Sequence, residues 1–69
     1  MNEEVFNLSI RRFLKRAGIG AQREIEHAVE AALAEGRIAS QGPLAATMTL
    51  EVGDLELRVV FEGDIELEE

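Results

Sequence analysis

The N-terminal part of the chain carries apolar side chains at helical spacing. They recur every three or four residues and so share one face of a helix: Phe6, Ile10, Phe13, Leu14 and Ala17. Asn2 is a favourable N-cap, and the two glutamates after it suit the positive end of a helix dipole. Because Gly18 stands where a left-handed residue often ends a helix, the pattern predicts a first helix over residues 3–17.

A second helical pattern follows directly. Its apolar positions again fall on one face: Ile25, Ala28, Val29, Ala32 and Leu33. Gly36 ends this pattern as Gly18 ends the first one. The start has a weak cap, since Gly20-Ala21 stands where Ser or Thr is expected. The pattern predicts a second helix over residues 21–35, joined to the first by a short glycine turn.

The C-terminal part of the chain alternates between apolar and polar residues, which is typical of strands with one buried face. Two strands are predicted, over residues 44–52 and 55–62. Gly53-Asp54 between them is a favoured two-residue hairpin turn that sets Val52 opposite Leu55. The alternation resumes after Gly63, so residues 64–68 either lengthen the second strand or form a third one.

These elements predict an α+β fold in two layers. Two N-terminal helices pack on one face of a C-terminal antiparallel β-hairpin or three-stranded meander, in the order ααββ or ααβββ. No linker or repeat interrupts residues 1–69, so a single domain is expected.

Composition and charge argue against a membrane protein and against binding to nucleic acid or anionic lipid. The chain has no cysteine, no basic targeting segment and no apolar run long enough to span a bilayer, so we expect a cytoplasmic protein that does not enter a membrane. Its net charge of −7 is concentrated after Pro43, where one arginine stands against eight carboxylates. An acidic chain repels nucleic acid and anionic lipid at long range.

A helix, a glycine turn, a second helix and a hairpin also outline a winged-helix nucleic-acid binder. The cations available to it are Arg11, Arg12, Lys15, Arg16 and Arg23. The second helix, however, has four glutamates against Arg23, and the hairpin is acidic as well. Nucleic-acid binding is therefore the alternative hypothesis and not the leading one.

Candidate catalytic chemistry is sparse. There is no thiol nucleophile, and neither Ser9 nor Ser40 has a histidine and carboxylate arranged around it in the sequence. Glu24 and His27 have the spacing of a metal-site fragment, but such sites draw further ligands from other helices. The sequence predicts no enzyme, no catalytic or metal-binding residue, no cofactor and no small-molecule ligand.

One surface of the first helix favours protein contacts. Val5 and Leu8 fall outside the apolar stripe and lie beside Arg11, Arg12 and Lys15 on a helical wheel. Apolar residues next to arginine are common anchors in protein interfaces. We therefore predict that these five residues bind a protein partner, or a second copy of the chain in a homodimer.

Three stretches carry a resemblance: "FNLSIRRFLK", "QREIE" and "GDI". Over nearly its whole length the chain resembles a family of short bacterial proteins classed as a domain of unknown function. Members of that family carry Ser or Thr before the QREIE segment, whereas this chain has Gly20-Ala21. The resemblance implies a single domain and brings no catalytic residue with it.

Overall fold

The computed structural model describes residues 1–39 and 42–68, so Ser40 lies outside the described part of the chain. Its elements are α1 (Glu3–Ala34), β1 (Leu44–Val52), a single 3-10 turn (Gly53–Leu55) and β2 (Leu57–Ile65). The chain divides into two compact units, Met1–Arg37 and Ile38–Glu69. The expectation of one domain stays a prediction.

Helix α1 begins where the sequence predicts. Asn2 has extended backbone angles, and its side-chain Oδ1 accepts a hydrogen bond from the Val5 backbone N–H at 3.1 Å. The backbone oxygen of Asn2 accepts the first helical bond, from the Phe6 N–H at 3.0 Å. Glu3 and Glu4 occupy the first turn, where negative charge is stabilised by the helix dipole.

The prediction of two helices is wrong. Helix α1 runs for 32 residues through Gly18 and Gly20 without a break, a length of about 48 Å at the rise of an α-helix. Gly18 does not take the left-handed conformation that would end a helix there. Both ααββ and ααβββ are therefore incorrect, and the order of elements is αββ.

The cost of ending a helix explains the continuity of α1. Each glycine in a helix interior costs about 1 kcal/mol relative to alanine. A break would instead leave unpaired N–H and C=O groups at two new helix ends. Gly20 and Ala21 offer no side chain to cap the new N-terminus, so continuing the helix satisfies more backbone groups than stopping it.

The end of α1 is a complete Schellman motif. Gly36 has a φ of +71°, and its N–H donates to the Leu33 oxygen at 3.2 Å. The Arg37 N–H donates to the Ala32 oxygen at 2.9 Å. These two bonds satisfy carbonyls that would otherwise lack partners, and they fix the chain direction after the helix.

The two strands form an antiparallel hairpin with a longer turn than predicted. Val52 lies opposite Leu57, not Leu55, so the expected second strand over 55–62 is displaced to Leu57–Ile65. The connection between the strands has four residues, from Gly53 to Glu56. Glu56 lies in the left-handed region with a φ of +52°, and its N–H donates to the Gly53 oxygen at 3.0 Å. Residues 64 and 65 belong to β2, and the described sheet has two strands.

The shift of two residues keeps each side chain on its expected face, because the side-chain period of a strand is two. One face pairs apolar residues across the strands, among them Met48 with Phe61, Leu50 with Val59 and Val52 with Leu57. The other face carries polar pairs, including Glu51 with Arg58, whose Oε1 and Nε atoms are 3.9 Å apart. No helix in the described part of the chain has the length and apolar character needed to cross a membrane.

Candidate interaction surface

The five residues of the predicted interaction surface all lie on α1 and are all exposed. Val5, Arg11 and Arg12 are three or four residues from Leu8, and Lys15 is seven residues from it, so Leu8 is central to this side of the helix. The exposed fractions of Val5 and Leu8 are 62% and 45%. The helix thus presents an apolar centre beside three cations, and we keep the name basic face for these five residues.

The chemistry of the basic face suits an acidic polypeptide. Two apolar side chains can be desolvated by a partner, while arginine and lysine at the edge pair with carboxylates. Arginine also recognises carboxylates in a bidentate geometry, which adds orientation to attraction. Binding of a partner by the basic face stays a prediction.

The opposite side of α1 is a second exposed surface, which the sequence analysis assigned to the core. Phe6, Ile10, Phe13 and Leu14 are all exposed, and 56% of the Phe13 surface is accessible. The prediction had two helices that each pack their apolar side on one face of the hairpin, and the structure has one continuous helix instead. The unit Met1–Arg37 contains α1 alone, so it has no other helix to cover them. The apolar stripe was visible in the sequence, but its division between two helices was wrong.

The apolar face of the hairpin is also open. Met48 and Phe61 form a cross-strand pair and are 50% and 58% exposed. Val52, Leu57 and Val59 on the same face are exposed too. A two-stranded hairpin is at best marginally stable alone in water and needs its apolar face covered.

Complete burial is rare in this molecule. Within residues 1–39 and 42–68, Ala32 is the one apolar residue that is buried, with 6% of its surface exposed, and no polar side chain is buried. Monomeric soluble proteins seldom expose extensive contiguous apolar surface, and larger patches mark interaction sites. Exposed apolar side chains are therefore a prominent feature of the described surface.

The structure also bears on the residues of the metal-site and winged-helix hypotheses. Glu24 and His27 are exposed on α1, and no group of three or more histidine, aspartate or glutamate residues in the described segments is placed to hold a metal ion. The winged-helix alternative requires a turn between two helices. The α1 helix is continuous where that turn would lie.

Comparison with known proteins gives one match. A family model described as a family of unknown function, DUF6494, matches residues 1–68 of the chain. No curated protein and no solved structure matches it. The resemblance inferred from the sequence, to a family of unknown function, is confirmed at this level.

Proposed function

This chain belongs to the family of unknown function DUF6494, and we propose that it acts in the cytoplasm by binding protein, without catalysing a reaction. The observation that carries the proposal is the exposure of large apolar side chains on both units, on α1 and on the hairpin alike. Each Å² of apolar surface that a partner removes from water contributes about 25 cal/mol to binding. Contact with several of these side chains at once therefore favours binding of a protein partner.

The basic face defines one contact of the proposed module. An acidic partner with an apolar side chain can seat that side chain against Leu8 and pair its carboxylates with the neighbouring cations. The double substitution Leu8→Asp with Arg12→Glu reverses both properties. We expect it to abolish that contact and to leave the helical content in circular dichroism unchanged, because both residues are exposed.

A matched control exists on the other unit. Val60→Asp with Arg58→Glu makes the same two chemical changes at exposed positions on the polar face of the hairpin. Partner binding should survive this control. Binding that survives the Leu8 and Arg12 double substitution as well would show that the basic face is not the contact.

The proposal as a whole is tested inside cells. A photo-crosslinking amino acid replaces Leu8 or Phe13, which are exposed apolar positions on opposite sides of α1, and Thr49 on the polar hairpin face serves as control. We expect covalent protein adducts from the apolar positions and none from Thr49. If neither apolar position forms an adduct with any protein, the proposed function is wrong.

A further inference from the structure

We infer that α1 pairs with α1 of a second copy of the chain, antiparallel and related by a two-fold axis, through the side of the helix that carries Phe13. This inference rests on the proposed function, and it identifies a second copy of the chain as the partner of this side of α1. The paired surface, named here the symmetric stripe, consists of six residues: Ile10, Phe13, Ala17, Ala21, Ile25 and Ala28.

The spacing of the symmetric stripe reads the same in both directions. Its members are separated by three, four, four, four and three residues, so the stripe is centred on position 19. In an antiparallel two-fold pair, residues equidistant from the centre meet at the same level. This brings Ile10 to Ala28, Phe13 to Ile25 and Ala17 to Ala21 of the second copy. A continuous α1 is required for this match, because a turn at Gly18 would divide the stripe.

Side-chain size favours the antiparallel direction. The half of the stripe before position 19 contains Ile10 and Phe13, while the half after it has Ala28 and a single large residue, Ile25. Antiparallel pairing sets the bulky half of one helix against the small half of the other, which is how facing layers interdigitate. Parallel pairing would crowd two Phe13 side chains at one level and leave two Ala28 side chains apart at another.

Charge favours the same direction. Residues 3–18 carry a net charge of +2, and the mirror segment 20–35 carries −3. The basic half of each helix therefore lies along the acidic half of its partner when the helices are antiparallel. Parallel helices would place like charges side by side, which disfavours association.

The stripe residues are open to a partner. Phe13, Ile10, Ile25 and Ala28 are exposed, and the alanines at the centre are partly exposed. The small residues Ala17 and Ala21 allow two helix backbones to approach closely at the crossing point. The next apolar match outward, Phe6 with Ala32, is not included because Ala32 is already buried.

The first test is the solution mass of the full chain, measured by light scattering across a dilution series. We expect a dimer that Phe13→Asp weakens by at least about a hundredfold in Kd, since the substituted residue occurs twice in the interface. Ile19→Asp is the matched control, because Ile19 is exposed and lies on the side of α1 away from the stripe. The control should dimerise normally.

The second test measures helix direction. The chain has no cysteine, so Glu4→Cys and Gln22→Cys each introduce a single thiol for a spin label. These positions are 18 residues apart, or five whole turns, and therefore share one side of α1. In the antiparallel pair the labels at position 22 are separated by about 9 Å along the axis, and those at position 4 by about 45 Å. Parallel helices would give equal separations at both positions.

Every outcome decides the inference. A dimer with a large difference between the two label distances, weakened by Phe13→Asp but not by Ile19→Asp, supports it. Equal distances, a dimer insensitive to Phe13→Asp, or a monomer at all concentrations overturns it. If the photo-crosslink at position 13 then joins a different protein, the stripe has another partner and the proposed function survives. A cross-link from position 13 to the hairpin of the same chain also overturns the inference, because the stripe is then covered within one chain.

Discussion

At the scale of single residues, Gly36 gives the clearest prediction. It has a φ of +71°, and a Cβ atom added there would meet no other atom within 4 Å. Gly36→Ala therefore changes only the backbone energy, and we expect it to lower the free energy of unfolding by about 1 kcal/mol. Urea unfolding followed by circular dichroism measures the change. Gly36→Asn should lower the free energy of unfolding by less than Gly36→Ala, because asparagine tolerates the left-handed region better. Equal decreases in the free energy of unfolding for the two variants would contradict the backbone explanation.

Substitution of Glu56 by glycine should have the opposite effect on stability. It is a non-glycine residue with a φ of +52° in the hairpin turn, a conformation that costs side-chain-bearing residues about 1 kcal/mol. Glu56→Gly should raise the free energy of unfolding by about 0.5 kcal/mol, because part of the relief is offset by the greater freedom of glycine in the unfolded chain. Glu56→Ala removes the charge and keeps the Cβ atom. If alanine stabilises as much as glycine, the gain comes from charge and not from conformation.

The ends of α1 could be predicted at this scale, but the hairpin turn could not. Asn2 and Gly36 are residue types with a strong preference for the helix ends where they lie, so the sequence was sufficient. Glutamate has no such preference for the left-handed region at which Glu56 is found. The neighbouring Gly53-Asp54 is a favoured two-residue turn, and this local signal led to the wrong loop length.

At the scale of elements, Gly18 and Gly20 test the continuity of α1. In a continuous helix, Gly18→Ala with Gly20→Ala should raise the free energy of unfolding by about 2 kcal/mol, because each alanine gains about 1 kcal/mol over glycine. Helical content in circular dichroism should rise or stay constant. A two-helix hairpin would need Gly18 in the left-handed region, so the same substitutions would destabilise it. The sign of the change therefore distinguishes the two structures.

Periodicity predicted where regular structure occurs better than where it is interrupted. The strict alternation over residues 44–52 gave the bounds of β1 directly, because few other structures have a period of two. The same period made a shift of two residues in β2 invisible, since both registers place the same residues on the apolar face. In α1 the apolar spacing continues across Gly18, and the weak cap at Gly20-Ala21 was the sign that no new helix begins there.

At the scale of the whole molecule, association should couple stability to concentration. If folding and pairing occur together, a tenfold increase in chain concentration favours the folded dimer by about 1.4 kcal/mol, which corresponds to a rise of about 5 °C in Tm for two chains of this size. Phe13→Asp should remove the concentration dependence. A Tm that stays constant over a hundredfold concentration range would show that the chain folds without a partner.

The exposure of the apolar stripe could not be predicted from one chain. An amphipathic helix has the same pattern whether its apolar side is covered by the same chain or by another. Two helices packed on the hairpin were predicted, because small domains normally cover their own apolar residues. Exposure on α1 is shared by Val5, Leu8, Arg11, Arg12 and Lys15, and their role as an interaction surface stays a prediction.

The symmetric stripe has a consequence for the evolution of the family. Phe13 and Ile25 are separated by 12 residues, or about 18 Å along one helix, and cannot touch within it. In the antiparallel pair they are neighbours, so a larger residue at one position is compatible with a smaller one at the other. Relatives should then show correlated changes between these two positions, and between Ile10 and Ala28, although neither pair is in contact inside a single helix. The history of substitutions in many chains would thus record a contact between two copies.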